Sequence, residues 1–424
     1  MKKNLMTMAT MAMAMTLASC STSKSAQGSG KEKTGNEVII NNSQMDENFL
    51  IMTDAQRKIV EKNNDFAFRL FNEVSGFESR VISPMSVSYL MGMLANAADG
   101  NTRDEIMKTI GCDQVSLKEL NEFYLAMMNQ ANPNDKSAAL KIANYIALND
   151  QFNLKKPFEN DMKNFYHAGV ESLDFSSSST TKHINEWCKK NTEGMIPSII
   201  DQVEPSAVSY LMNAIYFNGT WADKFDKKNT QTENFRGYTR DIKKVPMMHR
   251  NDEYFYTSNN MYAAISLPYS NHKYTMTVLL PNEDKSISDV IRNFEVEDLR
   301  DMNRSMEKCV VDLKLPRFTT EMNITLNDII SKMGAPSMFT SNANFSHFAD
   351  GSLSITKMLQ KTKIEVSEEG TKAAAVTAAI MTMSALQPEP RHVEFHANRP
   401  FVYMIIDNTT GAIFFMGQYT GSGE

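Results

Sequence analysis

The sequence predicts an α+β fold with mostly antiparallel sheets, on three observations. Apolar residues recur at helical spacing early in the chain, strand-length apolar runs fill its later part, and neither a repeat nor a break in composition separates the two. Over 55–74, Ile59, Phe66, Leu70 and Val74 fall on one helix face, widened by Phe68 and Phe71. Ser83-Pro84 opens a second helix through Val87, Leu90, Met91 and Leu94, with a hydroxyl at the cap and proline in the first turn. Thr102-Arg-Asp-Glu105 has the form of a capping box, leading to Ile106 and Ile110 before Gly111. Strand patterns follow over 138–148, 263–267, 274–280, 310–315 and 358–366, with two more near the C-terminus.

Composition narrows the function classes. Hydrophobic residues at 42% and charged residues at 22% exclude wholesale disorder, and a net charge of -6 argues against nucleic acid as a partner. The chain has no Gly-x-Ser-x-Gly elbow, no phosphate-binding loop and no local Cys–His signature, so no catalytic residue and no cofactor is implied. His392, Glu394 and His396 lack the spacing of a zinc-protease helix; at period 2 they share the outer face of a strand whose inner face is Val393 and Phe395. Solvated polar residues, not a metal site, are expected there. Ser83, Ser86 and Ser88 have no histidine partner nearby and are expected to be structural hydroxyls.

The N-terminus reads as a leader. Lys2 and Lys3 precede a short apolar run from Leu5 to Ala18 that ends Leu17-Ala18-Ser19-Cys20. This resembles the bacterial lipobox, which implies a signal peptide over 1–19, a lipidated Cys20 and a location at the bacterial cell envelope, on its periplasmic or outer surface. Residues 20–45, rich in Ser, Gly, Lys and Thr, read as a flexible tether to a folded body over 46–424. Cys112, Cys188 and Cys309 are an odd number at unpatterned spacing, and buried free thiols are expected.

The informative segment is Glu368-Glu369-Gly370-Thr371-Lys372-Ala373-Ala374-Ala375-Val376-Thr377-Ala378-Ala379. Propensity alone makes its alanines helical. Yet the segment follows a strand-like run and precedes a polar stretch with no helical period. Alternate residues Thr371, Ala373, Ala375 and Thr377 are small and uncharged, suited to the buried face of a strand, whereas Lys372 has the opposite parity.

With this segment, the chain resembles the serpins, serine protease inhibitors, over almost its whole body. Further matches are Val81-Ile-Ser-Pro-Met-Ser-Val87, Asn213-Ala-Ile-Tyr-Phe-Asn-Gly-Thr-Trp221 with Phe225, Val245-Pro-Met-Met248, Leu315-Pro-Arg-Phe318, the stretches 323–345 and 395–401, and Phe414-Phe-Met-Gly417. The resemblance implies three mostly antiparallel β-sheets, eight or nine helices and an exposed reactive-centre loop over about 368–391. It implies a suicide-type inhibitor and not an enzyme: a serine protease cuts the loop, forms an acyl-enzyme and is trapped when the loop inserts as a strand. It carries a hinge to Glu368, Glu369, Gly370, Thr371, Ala373, Ala375 and Thr377. A breach, where insertion begins, falls on Trp221, Arg317 and Glu368, with an Arg317–Glu368 ion pair expected. A shutter falls on Ser83, Ser86, Asn213 and Gln360, where the family often has His for Gln360. Loop length places the reactive bond at Ser384-Ala385, with Met383-Ser384 the next choice. No Arg or Lys stands there, so elastase-like or chymotrypsin-like proteases fit and trypsin-like ones do not. Over 116–130 only Lys118 is basic, so heparin is not an expected partner. A monomer is expected. The alternative is a non-inhibitory serpin serving as an envelope carrier or chaperone.

Overall fold

The computed structural model describes residues 50–131, 138–371 and 390–421. Among them are nine α-helices: α1 (Asp54–Val74), α2 (Pro84–Ala97), α3 (Gly100–Thr109), α4 (Leu117–Ala131), α5 (Lys156–Tyr166), α6 (Ser179–Asn191), α7 (Ile287–Asn293), α8 (Val296–Ser305) and α9 (Asn327–Met333). The first strands are β1 (Arg80–Ile82), β2 (Ala138–Asn149), β3 (Gly169–Leu173), β4 (Ser209–Thr220) and β5 (Gln231–Arg236). Then come β6 (Ile242–Ser258), β7 (Tyr262–Pro268), β8 (Tyr274–Pro281), β9 (Glu307–Pro316) and β10 (Phe318–Thr325). The last are β11 (Lys357–Val366), β12 (Gly370–Thr371), β13 (His392–His396), β14 (Phe401–Asp407) and β15 (Ile413–Tyr419).

Local chemistry sets the early helices. Thr53 caps α1 in a reciprocal box with Gln56, and the helix buries Ile59, Phe66, Leu70, Phe71 and Val74. Ser83 caps α2, with Pro84 in its first turn. Nearly every residue of α2 is buried, because it packs on α1, α3, α4 and α5 and on both sheets at once. The expected box at Thr102 and Glu105 is not a cap. The helix starts at Gly100, with Asp99, three residues before Thr102, in the cap position, and both side chains serve a distant segment: Glu105 accepts from Ser337 N at 2.9 Å and Thr102 Oγ1 from Asn344 N at 3.0 Å.

The six-stranded sheet runs β10-β11-β4-β2-β3, with β12 alongside β4. The nine-stranded sheet runs β1-β15-β14-β8-β7-β6-β9-β13, with β5 paired to β6. Three sheets were expected, and the hydrogen bonding joins two of them through β6. The early part of this 17-residue strand pairs with β5, its middle with β9 and its end with β7, so one strand serves two strand groups. Pairing is mostly antiparallel, the exceptions being β11 with β4, β2 with β3 and β13 with β9. The two sheets meet through Phe217 of β4, whose ring lies edge-on to Tyr269, Tyr274 and Phe415.

One feature of the six-stranded sheet positions the site. β11 pairs in parallel with β4 from Lys357↔Tyr210 to Lys363↔Tyr216, and there the ladder stops. β4 continues to Thr220 and β11 to Val366, leaving a gap between their ends.

Candidate functional site

The gap is occupied by the first residues of the hinge. β11 ends at Val366, and a tight turn follows in which Ser367 and Gly370 bond each other through both backbone pairs, at 2.8 and 3.1 Å. Gly370 and Thr371 then pair antiparallel with Thr220 and Gly219. Gly219 thus has Ala138 of β2 on one side and Thr371 on the other. The turn needs glycine at position 370. Its φ of 128° lies in the left-handed region, and an added Cβ would overlap the Gly219 carbonyl and lie 2.6 Å from Trp221 N. Thr371, the first inward residue by parity, is fully buried.

The two glutamates before the glycine anchor the turn. Glu368 is buried, and its Oε1 accepts from Thr230 Oγ1 at 2.8 Å and pairs with Arg317 Nη1 at 3.4 Å. Glu369 points the other way, to Lys224 at 2.9 Å and Lys227 at 3.2 Å. Hydrogen bonds from these two lysines hold its carboxyl below the usual range, against a smaller opposing effect of burial. The backbone is tied as well: Trp221 N donates to Glu369 O and Phe225 N to Glu368 O, each at 3.0 Å. Trp221 donates from Nε1 to Ser367 O at 2.9 Å and stacks on Tyr269 at 4.6 Å. The expected Trp221, Arg317 and Glu368 come together around this turn. Lys224, Lys227, Thr230 and Tyr269 join them, and no local sequence pattern marks these four.

Lower in the sheet, the expected polar cluster spans the seam between β4 and β11. Gln360 Oε1 accepts from Ser83 N at 2.9 Å, and Nε2 donates to Ser83 O at 3.0 Å and to Asn213 Oδ1 at 3.3 Å. Asn213 continues to Asn144 Oδ1 at 2.9 Å, a further member that the sequence did not reveal. Ser83 Oγ donates to Phe414 O at 2.6 Å, tying the cluster to the other sheet. Ser86 joins only through its backbone N–H, which donates to Ser83 Oγ. Its hydroxyl is buried and finds no partner among the described residues.

Other expected positions fall elsewhere. Ala373, Ala375, Thr377, Met383, Ser384, Ala385 and Cys20 lie outside the described residues. His392 and Glu394 are exposed on β13, whereas His396 bonds Asp312 at 2.9 Å, and Asp312 also bonds His249 at 2.5 Å. Among the described residues no group of three His, Cys, Asp or Glu side chains could hold a metal ion, and no helix is long and apolar enough to cross a membrane. Cys112, Cys188 and Cys309 are buried and free.

Comparison with known proteins places this geometry. The family model for serpins (serine protease inhibitors) matches residues 61–421. Human leukocyte elastase inhibitor is 32% identical over 375 residues, covering 84% of this chain and 98% of that one. The native structure of tengpin, a thermophilic serpin, superposes with a TM-score of 0.79 at 30% identity, covering 88% of this chain and 95% of that one. Human thyroxine-binding globulin in complex with its hormone does so with a TM-score of 0.79 at 27% identity, covering 87% and 100%.

Proposed function

The chain belongs to the serpin family, many of whose members inhibit proteases, and on that premise we propose that it traps serine proteases by inserting its reactive loop into the six-stranded sheet. The observation that carries this reading is Thr371, already paired with Gly219 where β4 and β11 part. A loop that starts inside the sheet has a defined route for the rest. Each further inward residue, Ala373, Ala375 and Thr377, is small and uncharged, so none brings a charge into the core.

The chemistry belongs to the protease. Its serine hydroxyl attacks the carbonyl of the reactive bond, an ester forms, and the C-terminal part of the loop leaves as the free amine. Water then competes with insertion. Strand addition, of which serpin loop insertion is an established example, must come first for the ester to persist. The target is elastase-like or chymotrypsin-like, because Met381, Met383, Ser384, Ala385 and Leu386 offer apolar or small side chains and no base. The bond is Ser384-Ala385, or else Met383-Ser384. The protein acts at the bacterial envelope, held there by lipid on Cys20.

Incubation with an elastase, a chymotrypsin and a trypsin, followed by denaturing electrophoresis, tests the reading. A covalent complex with the first or second, and a released peptide beginning at Ala385 or Ser384 by mass spectrometry, is the expected result. Cleavage without any complex would favour a carrier, the reading to which the similarity with thyroxine-binding globulin lends weight. The anchor is tested separately: Cys20→Ala is expected to abolish labelling by radioactive palmitate and to release the protein from the membrane fraction.

A further inference from the structure

Tyr269 lies outside every sequence motif, in the turn that joins β7 and β8 of the opposite sheet from the hinge. It is fully buried. Its backbone is fixed on both sides: Tyr269 N donates to Tyr274 O at 2.9 Å, Ser270 N to Thr220 O at 2.8 Å and Ala222 N to Pro268 O at 2.9 Å. Its ring is fixed too, stacked on Trp221 and edge-on to Phe217 at 4.7 Å. The ring lies so close to Gly219 that a Cβ there would approach its Cδ1 to 2.7 Å. From this rigid seat the phenol meets Thr371 Oγ1 at 3.0 Å. Burial keeps the phenol well above its ordinary pKa, with the bond to Thr371 opposing, so it is a neutral hydroxyl at any working pH.

We infer that Tyr269 is a positioning residue for loop insertion: its hydroxyl holds Thr371 docked beside Gly219 in the uncleaved protein. This rests on the inhibitor reading above and adds to it the group that fixes the starting point. Thr371 on leaving the gap regains water, but Tyr269 cannot follow it. The phenol is then left buried without that partner, and a buried hydroxyl without one disfavours the state that strands it. Docking is therefore favoured by a hydroxyl on each side. Insertion after cleavage starts from an occupied first position instead of having to find it, which favours trapping over hydrolysis.

The test is a cycle of Tyr269→Phe, Thr371→Val and the double variant, with two readouts. The first is the ratio of cleaved to trapped inhibitor with an elastase. Either single substitution is expected to raise that ratio about five-fold, the equivalent of about 1 kcal/mol for one hydrogen bond. The double variant, with no hydroxyl stranded in either state, is expected to match Thr371→Val alone and to fall well short of the sum of the two single effects. The second readout needs no protease. Trp187 and Trp221 are the only tryptophans, so in a Trp187→Phe background Trp221 emission reports on the hinge. Tyr269→Phe is expected to shift it toward the spectrum of Gly370→Val, whose side chain cannot enter the gap. Trapping by Tyr269→Phe at the wild-type ratio, or simple additivity of the two substitutions, would overturn the inference. If the wild-type protein traps no protease at all, the inhibitor reading fails. Trp221 emission still decides the docking role in that case: a Tyr269→Phe spectrum identical to wild type removes it, and the expected shift upholds it.

Discussion

Single residues at the hinge carry opposite charges in a small space: Glu368 faces Arg317, and Glu369 faces Lys224 and Lys227. The Glu369 carboxyl is depressed by hydrogen bonds from Lys224 and Lys227. A depressed folded-state value stabilises the protein above the ordinary carboxylate range and loses that contribution as the pH falls through the folded value. The Trp221 emission of the docked hinge is therefore expected to hold from neutral pH to the upper carboxylate range and to change below it. Glu369→Gln should blunt this acid transition; an unaltered transition would mean that other carboxylates govern it. The thiols give a second test at this scale. Burial pushes both Cys112 and Cys188 up to about 12, so iodoacetamide is expected to label neither in the native protein and both after denaturation. Peptide mass spectrometry reads the difference.

Elements differ in how plainly their sequences announce them. α1 and α2 were legible because their signals are local: apolar spacing at 3.6 residues in both, and in α2 a Ser cap with proline in the first turn. β4 was not, although it is the strand against which the hinge docks. Eleven of its twelve residues are buried, on both faces, so no alternation marks it. Thr102 and Glu105 matched a capping pattern but answer to the backbone of 337–344, a contact that no local pattern contains. The same limit explains the site. Parity alone pointed Thr371 inward, but Tyr269, Thr230, Lys224 and Lys227 reach the hinge only through tertiary structure. Two predictions belong here. Phe217→Ala removes the ring that β4 places between the sheets, and it is expected to cost about 3–5 kcal/mol in urea unfolding. On the proposed reading, Thr371→Arg or Ala373→Glu sets a charge on the inward face of the inserting loop, and either is expected to let a protease cut the loop without being trapped. An unchanged stoichiometry of trapping in both would contradict the parity argument.

For the molecule as a whole, the proposed trapping requires the six-stranded sheet to accept one more strand. β4 and β11 are already parted at one end, where Gly370 and Thr371 sit, and are closed below by seven paired residues. The polar cluster of Ser83, Gln360, Asn213 and Asn144 crosses that closed part and links it to α2 and, through Phe414, to the other sheet. On the proposed reading, opening the seam would break the Gln360–Asn213 bond and the parallel ladder, and an inserted strand would replace them with antiparallel pairing on each side. Trapping by insertion therefore requires the cleaved, inserted form to be the more stable one. The most direct measurement is the melting temperature before and after a protease nicks the loop within 378–389, on the wild-type chain and on Thr371→Arg. The melting temperature is expected to rise on cleavage of the wild type and to stay unchanged for the variant. A wild-type melting temperature that stays the same or falls on cleavage would contradict trapping by insertion.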